Sequence, residues 1–391
     1  MFERTLARYL IELGTSYPVL TMTGPRQSGK TTLCRACYPD LPYRNLEDPE
    51  QREWALSDPK GFLATIPDGA VLDELQRVPE LLSSVQVHVD EPGFRGLFVL
   101  TGSQHFALNS ALSQSLAGRS AVLSLLPLSL GERPDRDASV DDLIFTGGYP
   151  RLHDRNLAPH RAMADYVATY LERDLRQLSM VRDLGLFQRF VRLCSGRIGQ
   201  LLNLQHLAAD TGVSQQTARQ WLTLLEASYL VFRLPPFHAN LRKRLVKMPK
   251  LYFHDTGLAC YLLGIEHARQ LATHPLRGAL FENLVIGEVL KSRYHGGKDN
   301  NLSFYRDSNG TEVDLLYAVA GQHVPVEIKA GSTLHREFWK GILRWREAVG
   351  EQTRGILVYT GELRGLRDEV VLASPRDMLG HLHAIAESLF P

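Results

Sequence analysis

Residues 24–32 read Gly-Pro-Arg-Gln-Ser-Gly-Lys-Thr-Thr, directly behind the apolar run Pro18 to Met22 and ahead of a helical segment from about Lys30 to Cys37. No other stretch limits the chain so narrowly. Its glycines let the backbone curl until successive N–H groups face inward. A helix that begins at the second glycine adds positive potential at the same spot. Such a loop is a cradle for phosphate. The G-x-x-x-x-G-K-[ST] spacing assigns Gly24, Pro25, Arg26, Gln27, Ser28, Gly29, Lys30, Thr31 and Thr32 to a nucleotide, with Lys30 on the β- and γ-phosphates and the Thr31 hydroxyl on Mg²⁺. ATP and Mg²⁺ are the expected cofactors.

Strand-like runs recur at Tyr43–Leu46, Ala70–Leu72 and Gly96–Leu100, with helical or loop segments between them. This alternation predicts a parallel sheet with crossover helices. The second run ends in Asp73 and Glu74. An acid there supports Mg²⁺, and its neighbour is placed to polarise the attacking water. The third run ends in Thr101-Gly102-Ser103-Gln104, at the strand edge where open parallel sheets bind ligands. Ser103 is the candidate γ-phosphate sensor, with Gln104 and Thr101 as alternatives. Arg119, in SLAGRS, is either a charge neutraliser for the transferred phosphoryl group, in cis or from a neighbouring copy in a homo-oligomer, or an ordinary salt-bridged surface arginine. Lys30, Asp73, Glu74, Ser103 and Arg119 are therefore the expected catalytic set of an ATP hydrolase.

At 391 residues the chain exceeds one ordinary core, so two to four domains are expected. The divisions fall at 1–142 (the ATPase domain), 143–200 (a helical lid or linker), 201–270 (a winged-helix-like domain) and 271–391 (the C-terminal domain). The Pro-, Asp- and Arg-rich Gly131–Asp142 segment reads as a surface connection. A net charge of +1 excludes a globally basic nucleic-acid coat, so any such contact must come from local patches. Cys34 and Cys37 form a CxxC without a second ligand pair at zinc spacing, and they read as small apolar residues of the helix after the loop. MFERTLARYLIEL is an amphipathic helix with charges inside its apolar run, unlike a signal peptide. No run approaches the length of a membrane span, and a cytoplasmic location is expected.

From Pro159 to about Glu226 the pattern is helical. Within it, Leu204–Arg233 reads as helix, turn at Gly212 and second helix after the N-cap Ser214, the pattern of a helix-turn-helix. Gln215, Gln216, Thr217 and Arg219 then stand where a recognition helix meets base edges. The run from Asn240 to Lys250 carries Arg242, Lys243, Arg244, Lys247 and Lys250 without an acid, a candidate basic wing for DNA. Four or five phosphate contacts imply a salt slope of about −4. Contact with a protein partner, or packing as a lid, is the alternative.

Beyond Pro275 come a long helix, strands at Leu302–Arg306, Val313–Val319 and Val324–Ile328, a helix at Glu337–Val349 and a strand at Gly355–Tyr359. Glu282 lies on the helix, Asp314 in EVDLL, and Glu327 and Lys329 on one face of the third strand. This pattern resembles the restriction-endonuclease-like fold and its PD-(D/E)xK motif, although Asp314 lacks the preceding proline. The resemblance implies that Glu282, Asp314 and Glu327 converge on a Mg²⁺, with Lys329 positioning a water.

The loop TGPRQSGKTT, Asn45-Leu46-Glu47-Asp48, LDE, LTGSQ, LAGR, Gly147-Gly148-Tyr149-Pro150, Tyr170-Leu171-Glu172-Arg173-Asp174, HDTGLACYLLG and the FEN…EVDLL…VEIK ending occur in this order. As an ordered set they resemble a family of prokaryotic ATPases of the AAA+ superfamily, in which the ATPase module precedes a C-terminal domain of unknown function. The expected fold is thus α/β and multidomain, with a P-loop parallel-sheet core, a helical and winged-helix middle and a restriction-endonuclease-like end. The expected function is ATP hydrolysis coupled to DNA remodelling. The alternatives are an ATP-dependent nuclease using Asp314, Glu327 and Lys329, and an ATP-bound switch that recruits a protein partner.

Overall fold

The structure is a computed structural model that describes residues 2–102, 116–171, 181, 183–237, 246–308 and 310–390, without the side chains of Tyr170 and Leu171. Ser103, Gln104, Glu172, Arg173, Asp174, Arg242, Lys243 and Arg244 lie outside the described residues.

Strands β1 (Val19–Thr23), β2 (Tyr43–Asn45), β3 (Gly69–Asp73), β4 (Leu97–Thr101) and β5 (Ser120–Ser124) form an all-parallel sheet in the order β2-β3-β4-β1-β5. β1 and β3 are buried along their whole length, which is why they read as continuous apolar runs rather than alternating ones. β5 has no counterpart in the sequence reading. It is an edge strand, SAVLS, with two serines and a half-exposed Val122, too little apolar signal to stand out.

Helix Leu6–Gly14 puts Leu6 and Leu10 against Leu20, Leu33 and Leu123 on one side of the sheet. The helices around Phe62, Leu81 and Val85 close the other side over Leu72, Phe98 and Leu100. Cys34 is buried and Cys37 partly so, both free thiols.

The Gly131–Asp142 connection lies largely at the surface but is pinned by Arg133, which is 3% exposed and donates to the Leu143 carbonyl and to Asp135. Helices Val140–Thr146, Pro150–Asp154 and Pro159–Tyr166 follow. Helices Leu184–Ser195, Leu204–Thr211 and Gln215–Ala227 pack around Trp221, whose ring meets Phe187 and Phe190 edge-on. Strands β6 (Val231–Leu234) and β7 (Lys250–Phe253) pair antiparallel behind them.

The long helix Arg277–His295 then leads to β8 (Leu302–Arg306), β9 (Glu312–Val319), β10 (Gln322–Lys329), β11 (Gly355–Tyr359), β12 (Gly365–Arg367) and β13 (Val370–Ala373). These form a mixed sheet in the order β12-β13-β11-β10-β9-β8, with β10, β11 and β13 parallel. One apolar core runs from Leu126 to Ala386, so the middle and C-terminal parts share an interior. The long helix is buried around most of its circumference inside that core, which is why it lacks a strong apolar stripe. Among the described residues, no helix is long and apolar enough to cross a membrane.

Candidate functional site

The phosphate loop leaves the C-terminal edge of β1, where the sheet ends and the next helix begins. Gly24 has φ +144°, and a Cβ there would lie 2.2 Å from the Leu125 carbonyl oxygen, so the loop passes β5 too closely for any side chain. Gly29 has φ +93° and starts helix Lys30–Cys37. Lys30 is buried, and its ammonium donates to the carbonyls of Gly24 at 3.0 Å and Pro25 at 2.9 Å. The lysine thus turns back across its own loop, where phosphate oxygens are the natural competing acceptors. Burial pushes its pKa down to about 8, against the pull of Glu74 and Asp73.

Asp73 ends β3 directly opposite. Its carboxylate accepts from the Thr31 hydroxyl at 2.9 and 3.1 Å, from the Tyr43 hydroxyl at 2.7 Å, from the Glu74 amide at 3.2 Å and from the Thr101 hydroxyl. Thr31 and Asp73 form a pair of hard oxygen donors, the chemistry that suits Mg²⁺. Burial, together with the hydrogen bond to Asp73, raises the Tyr43 hydroxyl above its ordinary range. Glu74 sits in the left-handed region with φ 58°, and Gln76 donates to its carboxylate. A cleft of about 1170 Å³ opens over these groups, lined among others by Lys30, Thr31, Glu74, Arg4 and Arg151. That volume accommodates a nucleotide.

The turn Gly147-Gly148 and the HDTG segment, far apart in sequence, meet around a separate small cavity. Asp255 accepts from the Gly148 amide at 2.7 Å and caps helix Thr256–Leu262 through the Leu258 amide at 3.0 Å. Pro150 and Arg151, next to that turn, reach the wall of the cleft.

Arg119 does not join this group. It precedes the N-terminal end of β5, the opposite sheet edge from the loop, and grips Asp90 with two bonds of 2.6 and 2.8 Å. Gln215, Gln216 and Arg219 are exposed on helix Gln215–Ala227, while Thr217 is half-buried. Ser214 caps that helix through the Thr217 amide at 3.1 Å, and Gly212 turns at φ +87°. Lys247 is exposed. Lys250 corrects the reading of the basic run: it is 3% exposed on β7, bonded to Glu282 at 3.0 Å and Glu312 at 2.7 Å, and cannot meet a DNA phosphate.

Glu282, Asp314, Glu327 and Lys329 do come together. Lys329 bridges Asp314 at 2.9 Å and Glu327 at 2.8 Å, and Asp314 accepts the Ile328 amide at 2.9 Å. Burial alone raises a carboxyl, but Lys329 and then Lys250 outweigh it and hold Asp314 at about 2. Burial and the adjacent Asp314 push Glu327 well above the carboxylate range. The two lysines thus stand among the acids. Among the described residues, no three or more His, Cys, Asp or Glu side chains form a metal-holding group.

Sequence reasoning missed Arg4, Tyr43 and Glu132 as site residues, because each acts through a partner distant in sequence.

Comparison with known proteins matches three successive stretches of the chain. Residues 16–133 match the AAA domain family, residues 137–269 a domain of unknown function (DUF8612) and residues 277–376 a second one (DUF4143). The uncharacterized proteins Rv2008c of Mycobacterium tuberculosis and Mb2031c of Mycobacterium bovis are each 33% identical over 368 residues, 93% of this chain and 81% of theirs. Among solved structures, the Walker-type ATPase PABY2304 of Pyrococcus abyssi aligns at 16% identity and a TM-score of 0.45, over 67% of this chain and 96% of its own. The chain belongs to the same family as the two mycobacterial proteins, and it carries an AAA domain of the P-loop ATPase class followed by two domains of unknown function.

Proposed function

We propose that the protein is a Mg²⁺-dependent ATPase whose turnover drives the middle and C-terminal parts on DNA. The observation that carries the ATPase reading is the bond between Thr31 and Asp73 at the base of a cleft lined by Thr31, the buried Lys30 and Glu74. In this reading Lys30 exchanges its loop carbonyls for the β- and γ-phosphates. Thr31 and Asp73 orient the metal, which supplies charge neutralisation on the phosphates. Glu74 holds and polarises the attacking water. Ser103 senses the γ-phosphate. Arg119, remote from its own cleft, acts from a neighbouring copy in a homo-oligomer, after leaving Asp90.

The DNA reading is supported by the capped helix that exposes Gln215, Gln216 and Arg219. Without Lys250, the run supplies Arg242, Lys243, Arg244 and Lys247 as phosphate contacts, for a salt slope of about −3.6. Cleavage by Asp314, Glu327 and Lys329 is a weaker reading, because Lys329 is already bonded to both Asp314 and Glu327.

The test is ATP turnover with and without single-stranded, double-stranded and branched DNA, with the nucleic acid inspected for cleavage. Lys30→Ala is expected to lower turnover by roughly a hundredfold or more. Turnover that survives the substitution refutes the assignment. Rates that no DNA alters refute the DNA role. Tight nucleotide retention without turnover selects the protein-recruiting switch instead.

A further inference from the structure

Arg4 reaches the phosphate loop from outside every motif in the sequence. It is 6% exposed. One terminal nitrogen donates to the Ser28 carbonyl at 2.8 Å, the other to the Leu126 carbonyl at 2.6 Å, and Nε lies 3.2 Å from Glu132. Ser28 and Gly29 share a planar peptide, so a guanidinium that fixes the Ser28 oxygen also fixes the direction of the Gly29 N–H. That N–H belongs to the loop assigned to phosphate.

Glu132 is held in turn. It accepts the Thr5 amide at 2.8 Å and the Ser129 amide at 2.9 Å. His295 Nε2 accepts the Leu126 amide at 3.2 Å. In the neutral ring the proton therefore sits on Nδ1, which lies 3.4 Å from Glu132 Oε2. Burial alone raises the Glu132 carboxyl, but His295 and Arg4 overcome it and keep it well below the ordinary carboxylate range.

His295 is the last residue of the long helix. Two further residues on that side of the helix grip the same stretch of chain: Glu288 accepts the Leu130 amide at 2.7 Å, and Lys291 donates to the Leu128 carbonyl at 3.0 Å. The strap 126–132 that follows β5 is thus clamped by a helix whose other end carries Glu282. From Glu282 to His295 the helix spans roughly 20 Å.

We propose that Arg4 is a positioning residue of the nucleotide site, and that the long helix sets its position through His295 and Glu132, so that docking of this helix on the strap governs how tightly nucleotide binds. The inference rests on the ATP-binding reading above and adds the means by which the C-terminal part regulates it. Because binding free energies are reciprocal, nucleotide must then also tighten the helix on the strap.

The experiment measures affinity of the full chain for a fluorescent ATP analogue with Mg²⁺, alongside thermal unfolding. Arg4→Met, Glu132→Gln and His295→Leu are each expected to weaken binding by roughly tenfold. The double variant Arg4→Met/His295→Leu is expected to be no weaker than Arg4→Met alone, because His295 acts through Arg4. A general packing defect would instead make the two losses multiply, and that result overturns the proposal. Arg4→Lys keeps the charge but loses the two-pronged grip. It is expected to fold and to bind roughly fivefold more weakly, which keeps the test decisive if the other variants unfold. Wild-type protein that binds nucleotide, with single variants within about twofold of it, overturns the coupling alone. Wild-type protein with no affinity overturns the ATP reading and this inference together.

Discussion

His254 is buried between the ring of Phe232 at 4.9 Å and that of Tyr229 at 5.8 Å, and its Nδ1 finds no hydrogen-bond partner among the described residues. Burial, with Lys291 nearby, lowers its pKa from 6.5 to about 3 and keeps the ring neutral. The unfolded chain restores a value of about 6.5. Between these two values the unfolded state binds more protons than the folded one, so stability falls as pH falls. The contribution is fully present above pH 6.5 and is lost below it at about 1.4 kcal/mol per pH unit, or ~2 kcal/mol by pH 5. Urea unfolding at pH 7 and pH 5 reads this directly. The wild-type chain is expected to lose about 2 kcal/mol more between the two than His254→Gln does, and equal losses would disprove the assignment.

Among the elements, the turn at Gly147-Gly148 depends on Asp255 as strongly as helix Thr256–Leu262 does. The carboxylate is 3% exposed and serves both. Gly147 has φ +69°, and a Cβ there would lie 2.3 Å from the same carboxylate, so the pairing also fixes the glycine. Asp255→Ala strips a buried N-cap and leaves the Gly148 amide without its acceptor. It is expected to cost about 2–4 kcal/mol in denaturant unfolding. A loss under about 1 kcal/mol would show that water replaces the carboxylate. Elements of this kind were largely legible in the sequence. The buried strands β1, β3 and β4, the helix after the loop and the Ser214 cap all announce themselves through local pattern. β5 did not, because an edge strand with serines on it has no apolar run to display. Lys250 was misread because Arg242, Lys243, Arg244 and Lys247 precede it in a basic run, whereas on β7, paired with β6, it is buried. The loop between β1 and the next helix was legible because its residues are contiguous. Arg4, Tyr43 and Glu132 were not, since their partners lie 24, 30 and 127 residues away.

Across the whole molecule, the middle and C-terminal parts are joined by charge as well as by their shared core. Lys250, on a strand of the middle part, is inserted between Glu282 of the long helix and Glu312 of β9. Burial alone would lower its ammonium, but Glu282, then Asp314 and Glu312, hold it above its ordinary range. A buried ion pair of this kind is weak evidence for net stability, because desolvation of both partners opposes their attraction. Breaking it from one side is another matter, since an uncompensated acid then remains inside. Lys250→Met is therefore expected to destabilise the chain by about 3–5 kcal/mol. If the cost comes from the stranded acid, neutralising Glu282 in the same chain relieves it. Lys250→Met/Glu282→Gln is thus expected to be more stable than Lys250→Met alone by roughly 1–3 kcal/mol. Denaturant midpoints of the three proteins decide the point. A double variant no more stable than Lys250→Met would mean that Lys250 stabilises the junction through its packing over the Phe304 ring, 5.3 Å away, and not through its charge.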